Sequence, residues 1–119
     1  MHPQLELLLQ IQDLKSQRRE LLESETGREV EEREFHIDVA EAVRQLDARI
    51  DELKRELPPS VRVRLDRLAK AGRAVVPIIN GICYGCFTAV PIASMSGIAR
   101  NEHISCCEHC GRFLYSVQV

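Results

Sequence analysis

Four of the five cysteines form two C-x-x-C pairs in the last third of the 119-residue chain. Cys83 and Cys86 make the first pair, Cys107 and Cys110 make the second, and 20 residues separate the pairs. Each C-x-x-C wraps a tight turn that points two sulfurs at one metal, and two such turns complete a tetrahedron. The spacing predicts one structural Zn²⁺ held by four thiolates, with no coordination position left for a catalytic water.

Other interpretations of these side chains exist. A thioredoxin-like redox pair needs a C-x-x-C at a helix N-terminus within a βαβ unit, and neither pair has that context. Cys106 could replace Cys107, but the turn would then be one residue longer, so Cys106 is predicted to be a spare thiol beside a strand. His103 and His109 could complete a mixed site, although His109 lies inside the second turn and should point away from the metal. Both histidines are therefore predicted to lie on the surface.

The composition changes sharply along the chain. All but five of the charged residues lie before residue 73, whereas residues 73–119 hold every cysteine and four of the five aromatic residues. This contrast predicts two modules with separate cores. A tail of this size rarely folds on an apolar core alone, which favours a metal as a staple.

Two stretches of the first part show the heptad period of a coiled-coil seam. The apolar positions are Leu7, Ile11, Leu14 and Leu21 in the first stretch, and Val39, Val43, Leu46, Ile50, Leu53 and Leu57 in the second. Gly27 and a capping box between Thr26 and Glu29 favour a bend into an antiparallel hairpin. One unbroken helix that dimerises is the alternative.

Proline and glycine residues predict where helices and strands begin and end in the second part of the chain. Pro58 and Pro59 end the hairpin and suit the first turn of a short connecting helix. The Asn80-Gly81 dipeptide predicts a hairpin turn that leads from a strand at 74–79 into the first cysteine pair. Pro77 places that strand at an edge or a bulge. A short helix is expected between the pairs, and two strands flank the second pair.

The predicted fold class is therefore α+β. Residues 1–57 form an antiparallel coiled-coil helical hairpin, residues 58–72 a connecting basic helix, and residues 73–119 a small antiparallel β ribbon with a C4 zinc site.

Charge is also unevenly placed. Residues 60–73 carry a net charge of +4 and residues 20–34 one of −5, within a chain of net charge −2. A solvated helical face explains either segment. A surface that binds phosphates must be basic, which points to the connecting helix and two ribbon arginines. The candidate nucleic-acid-binding residues are Arg62, Arg64, Arg67, Lys70, Arg73, Arg100 and Arg112.

The stretches "AVVPIINGICYGC" and "CEHCGRFLY" closely resemble the bacterial C4-type zinc ribbon proteins that carry an N-terminal coiled-coil hairpin. The resemblance covers residues 58–117 at the level of motifs, and the helical part only by architecture. It implies that Cys83, Cys86, Cys107 and Cys110 bind the metal and that the protein binds nucleic acid.

No constellation of residues supports catalysis, so a binding protein rather than an enzyme is expected. The first hypothesis is a regulator or adaptor that binds nucleic acid or the transcription machinery. The second is a protein interaction module that pairs with itself as a homodimer or with a partner such as RNA polymerase. A thiol oxidoreductase is the third. No signal peptide or membrane span is visible, which predicts a cytoplasmic protein.

Overall fold

The computed structural model describes residues 1–23 and 39–117 of the chain, and it confirms the α+β class. Helices occupy the first part and a small four-stranded sheet the second. The helices are α1 Pro3–Glu23, α2 Val39–Arg55, α3 Pro59–Ala69 and α4 Ile92–Ile98. The strands are β1 Val75–Ile79, β2 Ile82–Cys83, β3 Ser105–Cys106 and β4 Phe113–Ser116.

Helices α1 and α2 pack against each other through their apolar seams. All six heptad positions of the second stretch, from Val39 to Leu57, are buried or half-buried. Nε of Arg18 donates to Oδ1 of Asp47 at 2.7 Å and joins the two helices. The expected bend, the capping box at Thr26 and the acidic tip lie in or next to residues 24–38, outside the described residues. The coiled-coil geometry stays a prediction.

Helix α3 begins at the predicted proline pair. Pro58 has an extended backbone with ψ 149°, and Pro59 is the first helical residue, where its missing N–H costs no hydrogen bond. Nζ of Lys54 lies 2.6 Å from Oδ1 of Asp66 and ties the end of α2 to α3. The helix is thus held against the base of the helical pair.

The sheet is mixed, so the prediction of a purely antiparallel ribbon is wrong. Its strand order is β2-β1-β4-β3, in which the outer pairs are antiparallel and the central strands β1 and β4 are parallel. The first cysteine turn follows β2 and therefore lies beside the start of β1, while the second immediately precedes β4. Parallel central strands bring both turns to the same end of the sheet, and antiparallel ones would separate them.

The prediction that Pro77 marks an edge strand or a bulge is also wrong, since β1 lies between β2 and β4. The carbonyl of Pro77 accepts a hydrogen bond from the N–H of Tyr84, on the side that faces β2. The β1–β2 ladder pairs only Ile78 and Ile79 with their partners, so it ends before the position at which the proline lacks a donor.

The helices and the sheet share one apolar cluster, contrary to the separate cores expected from composition. Leu5, Leu8 and Ile11 of α1 pack in a cluster that also contains Leu65 of α3 and Phe113 of β4. A second cluster lies between the sheet, α4 and the cysteines. The metal-binding end is therefore anchored to the helical part through the sheet.

Side-chain amides fasten two strands from outside. Gln12 of α1 donates from Nε2 to the carbonyl of Val75 at 2.8 Å, and its Oε1 accepts from the N–H of the same residue at 2.9 Å. Asn101 makes the same double contact with the backbone of Ser116.

Within residues 1–23 and 39–117, no helix combines the length and apolarity needed to cross a membrane.

Candidate metal centre

The two cysteine turns have the same backbone design. The N–H of Phe87 donates to the carbonyl of Cys83 at 2.7 Å, and the N–H of Gly111 donates to the carbonyl of Cys107 at 2.8 Å. The residue that follows each pair has a positive φ, 58° at Phe87 and 79° at Gly111. Each turn thus closes on itself and projects its two sulfurs to one side.

The four predicted thiols converge. The Sγ atoms of Cys83, Cys86, Cys107 and Cys110 all lie within 4.8 Å of one another. Cys83 and Cys110 are 3.7 Å apart, and Cys86 and Cys107 are 3.8 Å apart. Four sulfurs bound about 2.3 Å from one tetrahedral zinc ion would be separated by about 3.8 Å. The cluster can therefore hold one metal ion.

Burial and hydrogen bonds act on these thiols in opposite directions. Burial raises the pKa of the Cys83 thiol to about 12. Hydrogen bonding to Thr88 lowers the pKa of Cys86 to about 6. Four thiolates at this spacing repel one another, and two of them are buried, so all four ionise together only with a cation among them. A sulfur-only donor set suits a soft or borderline divalent metal.

The other candidate ligands lie outside the cluster. Cys106 is in β3, half-buried beside the larger apolar cluster and next to Arg64. His103 and His109 are exposed, as the sequence predicted. Neither C-x-x-C begins a helix, because both lie in turns.

The seven predicted basic residues differ in exposure. Arg67, Lys70, Arg73 and Arg100 are exposed, whereas Arg62, Arg64 and Arg112 are half-buried.

Two of the half-buried arginines have structural contacts. Arg64 donates from Nη1 to the carbonyl of Gly111 at 3.4 Å, and Arg112 donates from Nε to the carbonyl of Arg73 at 2.8 Å. The structure therefore brings Arg73 and Arg112 together at the start of the sheet.

Glycine at position 85 allows Arg112 to lie across the first cysteine turn. A Cβ atom at residue 85 would lie 2.7 Å from Cδ of Arg112. The arginine consequently packs against the first cysteine turn at Gly85.

An exposed aromatic pair on the first turn was missed from the sequence. The rings of Tyr84 and Phe87 have centroids 5.6 Å apart and planes inclined by 55°. Phe87 is 71% exposed, and it directly follows the first cysteine turn. The sequence contains a signal for this exposed ring, because Phe87 occupies the position at which the second cysteine turn has glycine. A cleft beside Lys15 and Arg19 was missed as well, and no sequence motif marks it.

Comparison with known proteins identifies the fold but no family. No family model matches the chain, and no curated protein matches it. The chain is similar to the structure of CT398 from Chlamydia trachomatis, with 30% identity and a TM-score of 0.57 over 80% of this chain. It is also similar to the HP0958 protein from Helicobacter pylori CCUG 17874, with 21% identity and a TM-score of 0.61 over 82% of this chain. The chain covers 40% of each of those longer chains.

Proposed function

We propose that this protein is a non-catalytic binding module in which a structural zinc ion fixes a β ribbon that binds single-stranded nucleic acid. The observation that carries the proposal is Phe87, an exposed aromatic residue held in a left-handed backbone conformation. Its ring is presented to solvent beside that of Tyr84.

Zinc is the metal that best suits the donor set. The sulfur spacing matches a tetrahedral S₄ site, and four thiolates fill the coordination sphere of Zn²⁺. A filled sphere offers no position for substrate, which supports a structural role and a protein without metal-based catalysis. Thiolate clusters of this kind belong to reducing compartments, which supports a cytoplasmic protein.

The stability of the fold does not explain why phenylalanine occupies position 87. A left-handed backbone costs a residue with a side chain about 1–2 kcal/mol, which glycine avoids. Packing does not offset the cost, because most of the ring is in solvent. Backbone strain that packing does not explain is typical of binding sites. Exposed aromatic rings are the platforms on which proteins stack unpaired bases.

Positive charge lies on the same turn as the aromatic pair. Arg112 crosses the first turn at Gly85, which stands between Tyr84 and Phe87 in the sequence, and its Nε donates to the carbonyl of Arg73. Arg67 and Lys70 of α3 are also exposed. Bases stacked on the rings would thus have cations near their phosphates, which is the combination used for single strands.

Binding of a fluorescently labelled ten-nucleotide single strand, measured by anisotropy at several salt concentrations, tests the proposal. Phe87→Gly should weaken binding about 5- to 150-fold, because each stacked base contributes about 1–3 kcal/mol. Ile92→Ser is the matched control, since Ile92 is 90% exposed on α4 and its loss should leave binding unchanged. Arg73→Gln should reduce the slope of log affinity against log salt by about one. Equal affinities of wild type and Phe87→Gly would refute the proposal.

A protein partner is the second candidate function. The exposed side chains of Ile82, Phe87 and Ile92 offer apolar surface on the ribbon, which a component of the transcription machinery such as RNA polymerase could cover. Binding to a protein that is insensitive to salt, without binding to the oligonucleotide, would favour this candidate. Homodimerisation through the helical seams has less support, because the described seam residues are already buried within one chain.

A further inference from the structure

A basic cleft lies between α1, α3 and the segment that joins α3 to β1. Its volume is about 370 Å³. Leu65 and Ala69 of α3 contribute apolar surface, and Lys15, Ser16, Arg19 and Arg73 supply polar groups. Lys15 and Arg19 are one helical turn apart, so their side chains project from the same face of α1.

Among residues 1–23 and 39–117, none with an acidic side chain lines this cleft. Lys15, Arg19 and Arg73 form no side-chain ion pair with any of the described residues. The carbonyl groups at the end of α3 carry a partial negative charge of about half an elementary charge. Three full positive charges outweigh that dipole, so the cleft favours an anion.

Two carboxylates close to Lys15 are already paired with other cations. Asp66 of α3, which acts on the charge of Lys15, pairs with Lys54 at 2.6 Å, and Asp47 of α2 pairs with Arg18 at 2.7 Å. Glu23 and Asp47 line the neighbouring groove between α1 and α2, which Lys15 and Arg19 also border, but neither carboxylate lines this cleft. The described carboxylates therefore partly offset the charge of Lys15 and Arg19 from outside the cleft, and none of them enters it.

Lys15 is held in an unfavourable environment. Burial lowers the pKa of its ammonium group, and the positive charge of Lys54 lowers it further, against an opposing effect of Asp66. A bound anion would supply the opposite charge that Lys15 lacks.

We propose that this cleft binds a phosphate group. A phosphate presents several acceptor oxygens to the two guanidinium groups, the ammonium group and the hydroxyl of Ser16, and arginine binds it through paired hydrogen bonds. The phosphate belongs either to a small phosphorylated molecule or to a nucleic-acid strand. The proposal does not depend on the aromatic pair, which lies on the ribbon.

Titration of the full-length protein with inorganic phosphate at constant ionic strength tests this site. Amide resonances in ¹H–¹⁵N correlation spectra should shift and saturate at Lys15, Ser16, Arg19 and Gly72. Arg19→Gln and Lys15→Met should each weaken binding about tenfold, as expected for the loss of one charge-assisted hydrogen bond. Arg55→Gln is the control, because it removes the same charge from an exposed residue at the end of α2 that does not line the cleft.

Two further titrations identify the source of the phosphate. Adenosine monophosphate represents a small phosphorylated ligand, and an unlabelled single strand without a terminal phosphate represents the backbone. If Arg19→Gln weakens binding of the strand about as much as binding of phosphate, the cleft holds the strand. If Arg19→Gln weakens binding of the monophosphate alone, the ligand is a small molecule.

Either result supports a phosphate site. Shifts that do not saturate, or equal phosphate affinities in wild type, Arg19→Gln and Lys15→Met, would overturn it. Failure of the proposed nucleic-acid function would appear separately, as an unchanged affinity of Phe87→Gly for the labelled strand.

Discussion

Phe87 and Gly111 occupy equivalent positions in the two cysteine turns. Each donates its N–H to the carbonyl of the first cysteine of its pair, and each has a positive φ. Glycine adopts this backbone without steric cost, whereas phenylalanine does not. The two turns are therefore alike in geometry and unlike in strain, and the strained one carries the exposed ring.

Phe87→Gly should change the free energy of unfolding by no more than about 1 kcal/mol. Relief of about 1–2 kcal/mol of backbone strain is offset by the larger conformational entropy of glycine in the unfolded chain. Chemical denaturation in the presence of zinc measures the change. Phe113→Ala is the contrast, since that buried ring should cost about 3–5 kcal/mol when truncated. A loss as large as that of Phe113→Ala would show that Phe87 contributes to packing.

The metal site could be read from the sequence because its information is local. Each C-x-x-C fixes its own turn, and two such turns suggest one metal. The parallel pairing of β1 and β4 could not be read in this way. It joins residues almost 40 positions apart, such as Val75 and Phe113, and both flanking hairpins are antiparallel as predicted. The parallel pairing is required because it brings both cysteine turns to one end of the sheet.

The shared core was missed for a related reason. The heptad pattern identified Leu7, Ile11 and Leu14, which describe one seam of α1. Leu5 and Leu8 are also fully buried, in a cluster that includes the sheet. A helix with two apolar faces shows only a weak periodicity of hydrophobic residues. The heptad pattern therefore identified the face towards α2 and missed the face towards the ribbon.

Metal removal should unfold the ribbon. Substitution of a cysteine in the cluster should abolish zinc binding, whereas substitution of Cys106 should not. We expect one zinc ion per chain by elemental analysis, and loss of zinc in Cys83→Ser. Cys106→Ser is the matched control, because Cys106 lies outside the cluster and should leave the zinc content unchanged. Chelation should move the amide resonances of β1 and β4 to random-coil values before those of α2, because the metal clamps the turns beside these strands. Equal zinc loss in both serine variants would contradict the assignment of ligands.

Replacement of a single atom in the side chain of Gln12 should break one of its two hydrogen bonds to Val75. Gln12→Glu replaces the Nε2 donor by a second acceptor oxygen, which then faces the carbonyl of Val75. The lost bond and the repulsion should cost about 1–3 kcal/mol in the free energy of unfolding, measured in urea. Gln10→Glu is the control, since Gln10 is exposed on the same helix. If the two variants are equally stable, α1 is not fastened to the sheet through this amide.

Lys15→Met should stabilise the protein at neutral pH, by up to about 1 kcal/mol. The pKa of Lys15 is lowered on folding by burial and by Lys54 of α2, while Asp66 of α3 acts in the opposite direction. Arg19 on the same face of α1 and Arg73 also line the cleft and add positive charge. The folded protein therefore binds this proton less tightly than the unfolded chain does, and the cost of the charge is fully present at pH values below the lowered pKa.

The gain from Lys15→Met should shrink as the pH approaches 10.5, the ordinary value for lysine. Above that pH the wild-type side chain is neutral in both states, and the cost of its charge disappears. Thermal unfolding of both proteins between pH 7 and about 10.5 measures the difference. Lys54→Met is the control of opposite sign, because it removes the partner of Asp66 and should destabilise the protein at pH 7. A gain that stays constant over this range would mean that methionine stabilises by its apolar contacts and not by removal of the charge.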